Sequence, residues 1–302
     1  MLPGQHVAVA LSGGIDSVSL LHALVKRDGG GGAHGCQFSA LHVHHSISPN
    51  ADLWDDFCRH YSAGLNTSFK SVRVTVERAT KDGLEAAARR ARHAAFAAID
   101  ADWIMLAHQR DDQAETLLFN LLRGTGLAGA AAMCERNGRL LRPLLSISRD
   151  EIKCYARQHC LEWIEDESNA DIKFSRNFLR RQVFTELRQR FPAATKNMSK
   201  AAGRFAEACD LLDDLARRDL GADVADFPLS VMELTALSEI RARNVLRYLL
   251  AKRKVRIPSD ARLRETLRQM LEAATDRHPT MVFGEYRLLR RRGWIYLEPA
   301  EG

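Results

Sequence analysis

The chain has 302 residues, with 44 Lys or Arg against 38 Asp or Glu and a formal charge of +6. This length allows one large domain and one smaller domain, each with its own hydrophobic core. No apolar run approaches the roughly 20 residues that span a bilayer, and the N-terminus lacks a signal-peptide pattern. We therefore expect a cytoplasmic protein without membrane contact.

The first half alternates short apolar runs with amphipathic stretches. We predict strands at 7–11, 39–44, 68–74 and 103–107, and helices at 17–25, 52–63 and 84–99. Such a series forms an α/β fold built on a doubly wound parallel sheet, which binds ligands at the carboxyl ends of its strands.

The second half changes to long, charged helical patterns. We predict a helical linker at 193–220, which divides a first domain at 1–192 from a smaller α+β domain at 221–302. Within the second domain, helices at 240–253 and 261–273 precede a hairpin region with strands at 281–283, 287–290 and 294–297.

The turn Ser12-Gly13-Gly14-Ile15-Asp16-Ser17 joins the first predicted strand to the first helix. Its glycines let the backbone approach an anion, Ser12 and Ser17 add hydroxyl groups, and a helix N-terminus favours negative charge. It is not a Walker A loop, because no lysine follows the glycines. A magnesium ion reconciles Asp16 with a bound phosphate. The alternative is an ordinary tight turn in which Asp16 is a first-turn helix carboxylate.

A second informative block runs from Ala107 to Thr116. Asp112 and Glu115 are three residues apart on one helix face, so together they suit an ammonium group or a metal ion. They fit equally well a capping box for the helix that ends near Leu122. The glycine-rich loop that follows contains Arg123 and is suited to contact with a polyanion.

Two further features are ambiguous. The adjacent histidines His44 and His45 point to opposite sides of a strand, which makes them poor joint metal ligands. Basic residues of the helix near Arg241, Arg243 and Arg247 alternate with leucines, a pattern that fits either a solvated face or contact with RNA phosphates. The six cysteines contain no Cys-x-x-Cys pair, which argues against zinc, iron–sulfur or dithiol chemistry.

The turn resembles the PP-loop of the N-type ATP pyrophosphatases, and over residues 7–190 the order of motifs resembles that of the tRNA-Ile lysidine synthase family. The matching blocks are Ser12–Ser17, His42–His45, Leu84–Arg92, Ala107–Thr116, Arg123–Leu127, Arg142–Leu145, Asp166–Asn169 and Arg176–Arg180. This chain departs from the usual glycine and leucine after the histidines, where it has Ser46 and Ile47.

The resemblance implies a Rossmann-like catalytic domain that uses ATP and magnesium. It implies that the 2-carbonyl oxygen of the wobble cytidine in the CAU-anticodon isoleucine tRNA is adenylated, and that the ε-amine of L-lysine then displaces AMP. The domain at 221–302 would bind tRNA. Whether the chain forms a homodimer stays open. The alternatives are another PP-loop tRNA modifier, such as a cytidine 2-thiolase, or a non-catalytic nucleotide-binding module.

The resemblance also implies roles for individual residues. ATP would contact Ser12, Gly13, Gly14, Asp16, Ser17 and His44, with magnesium at Asp16. The catalytic residues would be Asp16, Arg89, Arg92, Asp112 and Glu115. L-lysine would meet Asp112, Glu115, Asn169 and Arg180. Beside such a catalytic domain, we expect the basic residues Arg123, Arg241, Arg243 and Arg247 to contact tRNA.

Overall fold

The computed structural model describes residues 2–26, 35–77, 83–165, 167, 175–221, 224–255, 258–274 and 277–300. The chain forms two compact units, Met1–Ala206 and Glu207–Gly302. The boundary between them falls inside a single long helix, so the predicted limits of the linker at 193–220 stay a prediction.

The first unit is a layered α/β structure. Its elements are β1 (His6–Ala10), α1 (Ile15–Lys26), β2 (Gln37–His44), α2 (Ala51–Gly64), β3 (Ser68–Arg73), α3 (Leu84–Ala98), β4 (Trp103–Met105), α4 (Arg110–Leu122), α5 (Leu127–Ala130), β5 (Arg136–Asn137), β6 (Leu140–Leu141), α6 (Arg149–Gln158), α7 (Ser175–Phe178), a π-helical segment (Leu179–Val183) and α8 (Phe184–Arg190).

The six strands in the described part of this unit have the order β3-β2-β1-β4-β6-β5, and all neighbours are parallel except β5 and β6. Both sheet faces are covered. Leu20, Leu21 and Cys58 are buried on one face, and Leu41 and Phe96 are buried on the other. The predicted doubly wound parallel sheet is confirmed, and its strand order reverses direction at β1, where such sheets bind ligands.

The second unit is a small α+β domain, which confirms the predicted fold class of this half. Helix α9 (Ala194–Leu220) enters it, followed by β7 (Leu229–Ser230), α10 (Val231–Thr235), α11 (Glu239–Lys252), α12 (Asp260–Glu272), β8 (Thr280–Phe283), β9 (Tyr286–Arg291) and β10 (Trp294–Pro299).

The strands of the second unit form an antiparallel sheet in the order β7-β10-β9-β8. One face of this sheet packs on the helices through a core that includes Leu249, Leu263, Leu288 and Ile295. Across the described parts of both units, no helix is long and apolar enough to span a membrane.

Candidate active site

The turn after β1 is held closed by its own hydroxyl groups. Ser17 Oγ accepts a hydrogen bond from the backbone N–H of Ser12 at 3.1 Å and donates to the carbonyl of Gly14 at 2.9 Å. Gly13 has a φ of +85°, and a Cβ atom there would lie 3.0 Å from Cδ1 of Ile164. The position therefore favours glycine for both conformation and space. The turn presents the N-terminus of α1, where first-turn N–H groups and the helix dipole favour an anion.

Asp16 lies in the first turn of α1 beside this backbone. Burial, followed by the charge of Asp112, raises the pKa of Asp16 to about 6. Its Oδ1 atom is buried and has no hydrogen-bond partner among the residues that the structure describes. A buried carboxylate oxygen without a partner is costly unless a cation or donor meets it. Asp16 is thus suited to a hard cation held between the protein and a phosphate.

The N-terminus of α4 places two acidic residues, Asp111 and Asp112, near Asp16. Gln109 caps the helix: its side chain accepts the N–H of Asp111 at 2.7 Å, while Asp112 Oδ2 accepts the N–H of Gln109 at 3.0 Å. The capping box therefore consists of Gln109 and Asp112. The sequence alternative, a box made by Asp112 and Glu115, is wrong, because Glu115 lies one turn further along the helix.

Arg180 of the π-helical segment binds the acidic face of α4. Its Nε and Nη2 atoms donate to Glu115 Oε1 and Oε2, both at 2.8 Å, and Nη2 also donates to Asp112 Oδ1 at 2.9 Å. Burial raises the pKa of both carboxyl groups, and Arg180 acts against this rise. Burial alone would lower the pKa of Arg180, but Glu115 and Asp112 together hold it above its ordinary value. The acidic pair is thus stabilised by one guanidinium.

Asp111 is fixed by a separate arginine. Its Oδ1 atom forms an ion pair with Arg188 of α8, and its Oδ2 atom accepts the backbone N–H of Arg149 at 3.1 Å. Two arginines of the 179–190 stretch therefore hold two consecutive acids of α4. These contacts fix the acidic end of α4 against α6, the π-helical segment and α8.

A cationic cluster lies at the carboxyl ends of β2, β4 and β6. It surrounds His108, whose pKa is lowered to about 3 by burial and then by the charges of Arg142, Arg92, Arg89 and Arg176. Arg142 is 6% exposed and donates to the carbonyl of Cys134 at 2.7 Å.

Three polar atoms of this cationic cluster are buried and unpartnered within the described residues: Nδ1 of His108, Nε of Arg142 and Nδ1 of His45. Burial and the charge of Arg92 lower the pKa of His45 to about 4, so both histidines are neutral at physiological pH. Arginine charges beside buried hydrogen-bond donors that lack an acceptor are typical of a site that binds an anion. The strand ends thus carry a negative pole around Asp16 and a positive pole around His108.

A family model described as the PP-loop domain matches residues 2–187, and one described as the TilS substrate binding domain matches residues 229–296. The tRNA(Ile)-lysidine synthase of Aromatoleum aromaticum is 44% identical over 301 residues, covering 98% of this chain and 70% of its own length. The enzyme of that name from Nitrosomonas europaea is 41% identical over 306 residues, covering 99% of this chain and 66% of its own length.

The chain belongs to the tRNA(Ile)-lysidine synthase family. It spans about two thirds of the length of these relatives. Among solved structures, the U34-tRNA thiolase NcsA from Methanococcus maripaludis matches with a TM-score of 0.55 at 17% identity, covering 68% of this chain and 73% of the thiolase. That likeness shows a shared fold.

Six of the residues that the lysidine synthase resemblance singled out in the first unit lie at the two poles. Asp16, Asp112, Glu115 and Arg180 form the negative pole, and Arg89 and Arg92 lie at the positive pole. Asn169 falls outside the described residues.

Two of the predicted contacts with ATP and tRNA have their own surroundings in the first unit. His44 contacts Ser46 at 3.0 Å and Asp52 at 3.1 Å. Arg123 is exposed and lies over the ring of Phe119.

The predicted tRNA-binding arginines of the second unit are all in ion pairs. Arg241 pairs with Asp219, Arg243 pairs with Glu239 and Asp260, and Arg247 pairs with Asp260. Their role in tRNA contact stays a prediction.

Sequence reasoning gave no role to several residues that the site contains. Arg142 and His108 were visible only as parts of matched motifs, and the partners of Asp111 were not visible at all. The signal that could have found His108 and Arg142 was their position. His108 directly follows a predicted strand and Arg142 follows the observed strand β6, and parallel sheets bind ligands at such strand ends.

Proposed function

We propose that this chain performs the reaction of its family, the ATP-dependent ligation of L-lysine to carbon 2 of the wobble cytidine in the CAU-anticodon isoleucine tRNA. The 2-carbonyl oxygen of the cytosine attacks the α-phosphorus of ATP, and the bond to pyrophosphate breaks. The ε-amine of lysine then attacks carbon 2 of the base, and the bond to AMP breaks. The products are lysidine in the tRNA, AMP and pyrophosphate.

The turn after β1 would hold the pyrophosphate portion of ATP. Ser12, Gly13, Gly14 and Ser17 supply backbone N–H groups and hydroxyls at a helix N-terminus. The buried, unpartnered oxygen of Asp16 fits a magnesium ligand. The described residues contain no group of three or more His, Cys, Asp or Glu side chains that could hold a metal ion. Asp16 would therefore bind magnesium together with oxygens of ATP. Bound magnesium would neutralise phosphate charge and help pyrophosphate to leave.

The positive pole would stabilise the adenylation step. Charge grows on the α-phosphate oxygens as the cytosine oxygen attacks, and fixed cations near those oxygens lower the barrier. Arg89 and Arg92 are the proposed catalytic cations, and Arg142 supports them from a buried position. His108 and His45 are neutral, so they act as hydrogen-bonding groups. His44 is retained as a proposed ATP contact.

The acidic pair on α4 would receive lysine. Asp112 lies near Asp16 and is joined to Glu115 through Arg180, so an amine held by the pair would be close to the nucleotide. Every oxygen of the pair already accepts one hydrogen bond, and each keeps a second lone pair for an ammonium donor. A raised carboxyl pKa also suits the pair to take the proton that the ε-ammonium must lose before it attacks. Arg180 balances the charge, and Asn169 is a further proposed contact.

The tRNA would be bound by both units. Arg123 is exposed on a loop of the first unit, and the second unit matches the substrate binding domain of the family. These substrates support a reaction in the cytoplasm, and a homodimer stays a proposal. The observation that carries the proposed function is the pairing of Asp16, with its unmet oxygen, and the Asp112–Glu115 carboxylates at one edge of a PP-loop domain.

Mass spectrometry of anticodon nucleosides tests the proposal after the tRNA is incubated with ATP, magnesium and lysine. We expect a lysine adduct on cytidine that requires both ATP and lysine. A sulfur adduct would favour the thiolase alternative, and an unchanged nucleoside without pyrophosphate release would favour a nucleotide-binding module.

A further inference from the structure

The sheet of the second unit has one face that does not contribute to the helical core. Directly opposed residues of antiparallel strands share a face. The pairs Leu288 with Leu297 and Arg290 with Ile295 lie on the core side. The other face, which we call the outer sheet face, carries Arg287, Leu289 and Arg291 of β9 and Trp294, Tyr296 and Glu298 of β10.

Trp294 dominates the tip of the outer sheet face. It is 43% exposed, although tryptophan has the largest side chain in the protein and is usually highly buried. Its cross-strand partner is Arg291, and the turn between the two strands contains Arg292 and Gly293. Tyr296 lies two residues along the same strand and is half-buried.

The cations at this tip are poorly neutralised. Arg291 is exposed and meets Glu298 only at 3.5 Å, and Glu298 is also shared with Arg287. Arg292 is exposed and forms no ion pair with any residue that the structure describes. Exposed pairs at such distances contribute little, so both arginines are available to another anion.

Most arginines described on the helical surface of the same unit are paired with acids. Arg241 pairs with Asp219, Arg243, Arg247 and Arg264 share Glu239 and Asp260, and Arg268 pairs with Glu265 and Glu272. Arg262 of α12 is exposed and donates to the carbonyl of Val282. A phosphate that binds the paired arginines must displace a carboxylate, whereas one that binds Arg292 need not.

We propose that the outer sheet face is an RNA-contact surface, on which Trp294 stacks on an unpaired tRNA base while Arg291 and Arg292 contact the adjoining phosphates. This inference rests on the proposed function, since it takes the tRNA substrate as the occupant. An exposed aromatic ring on a sheet, flanked by arginines, has the chemistry that recognises unpaired nucleotides. The surface lies on the side of the sheet opposite the hydrophobic core. One face of the sheet thus packs on the helices, and the other contacts RNA.

The test is binding of the CAU-anticodon isoleucine tRNA at several salt concentrations, together with pyrophosphate release. Trp294→Ala should weaken binding roughly five- to a hundredfold, the loss expected for one stacked base, and Trp294→Phe should restore most of it. Arg291→Gln with Arg292→Gln should weaken binding and reduce its salt dependence. The matched control, Arg264→Gln with Arg268→Gln, removes two exposed but paired arginines and should bind within twofold of the unaltered chain.

At saturating tRNA the rate of pyrophosphate release should be unchanged in Trp294→Ala, because the adenylation residues lie in the first unit. If the unaltered chain modifies tRNA but Trp294→Ala and the Arg291/Arg292 variant bind normally, the inference is wrong and the proposed function stands. A change in oligomeric state by light scattering, without a change in tRNA affinity, would assign the surface to protein contact and also overturn it. If the unaltered chain neither binds nor modifies tRNA, the proposed function fails, and the inference fails with it.

Discussion

Arg180 donates two parallel hydrogen bonds to the carboxylate of Glu115, a residue 65 positions earlier in the chain. The same guanidinium reaches Asp112, one turn away on α4. Planar two-point contacts of this kind fix orientation as well as charge. The ammonium site proposed for lysine is therefore one in which an arginine of the protein already holds both acids, and lysine must bind beside Arg180.

The first prediction concerns this ion cluster. Arg180→Met should lower the free energy of unfolding by about 3 kcal/mol at pH 8, because it leaves two largely buried carboxylates without their cation. The loss should shrink as the pH is lowered, because burial raises the pKa of Glu115 and Asp112 and protonation then removes the unpaired charges. Urea unfolding across a series of pH values from 8 downwards measures it.

The neighbouring Arg181→Met is the control for this prediction. Arg181 lies in the same π-helical segment but is exposed, so its replacement should change stability by less than about 0.5 kcal/mol. Equal losses in both variants would show that the segment tolerates no apolar replacement, and that the ion cluster contributes nothing specific.

The second prediction separates lysine recognition from adenylation. Glu115→Gln should raise the KM for lysine roughly ten- to a hundredfold, the effect of losing one charge-assisted contact to an ammonium group. Lysine-independent pyrophosphate release should persist, because ATP and cytosine do not need that carboxylate. Glu186→Gln, an exposed change on α8, should leave both quantities unaltered. Loss of pyrophosphate release with an unchanged lysine KM would instead place Glu115 in the nucleotide site.

The third prediction uses the raised pKa of Asp16. Between about pH 4 and 6, Asp16 is ionised in the unfolded chain but still protonated in the folded chain. The free energy of unfolding therefore falls as the pH rises through this range, and the loss is complete above about pH 6. Asp16→Asn should therefore stabilise the protein above pH 6 by up to about 3 kcal/mol, with no gain near pH 3. Thermal unfolding without magnesium or ATP measures this.

Asp150→Asn provides the comparison for Asp16. Asp150 is an exposed first-turn carboxylate of α6, and its loss should destabilise by less than about 1 kcal/mol through the helix dipole. If Asp16→Asn is also destabilising at every pH, then Asp16 is an ordinary first-turn helix carboxylate and the magnesium proposal fails.

The fourth prediction tests the positive pole. Arg89→Gln with Arg92→Gln should reduce the rate of pyrophosphate release at saturating tRNA by about a hundredfold or more, because both are charges near His108 that we propose to act on the α-phosphate. The affinity for tRNA should change little. Arg157→Gln with Arg190→Gln removes two exposed arginines of the same unit and should leave that rate intact. An equal loss of rate in the two double variants would indicate a general effect of net charge and would contradict a specific role of Arg89 and Arg92.

Local pattern was enough to predict most of the first unit. Strand β1 and helix α1 follow from apolar runs and helical spacing, and the turn between them follows from its glycines. The capping box was misplaced because Gln109 is not a residue that capping preferences favour. The cap became visible only in the hydrogen bonds.

Long-range pairing could not be predicted. Arg180 and Arg188 meet acids of α4 from more than 60 positions away, and no local period encodes such a contact. Similarly, arginines such as Arg243 suggested a basic face. One of its acidic partners, Glu239, lies four residues earlier on α11, but the other, Asp260, reaches it only after α11 and α12 pack together. Charge counted along the sequence is therefore a weak guide to charge presented on a surface.

The π-helical segment sets how far the chain may vary in length here. In an uninterrupted α-helix, Arg188 would be rotated by roughly 80° from Arg180, since each residue turns by about 100°. The wider turn of Leu179–Val183 rotates less per residue, which helps both arginines to face α4. Removing a single residue between the two arginines would restore regular winding with a separation of about seven residues, or roughly 20°, which keeps both on the side of α4. Adding a residue would instead turn Arg188 by about 100° away from Asp111. This stretch therefore tolerates a one-residue deletion better than a one-residue insertion.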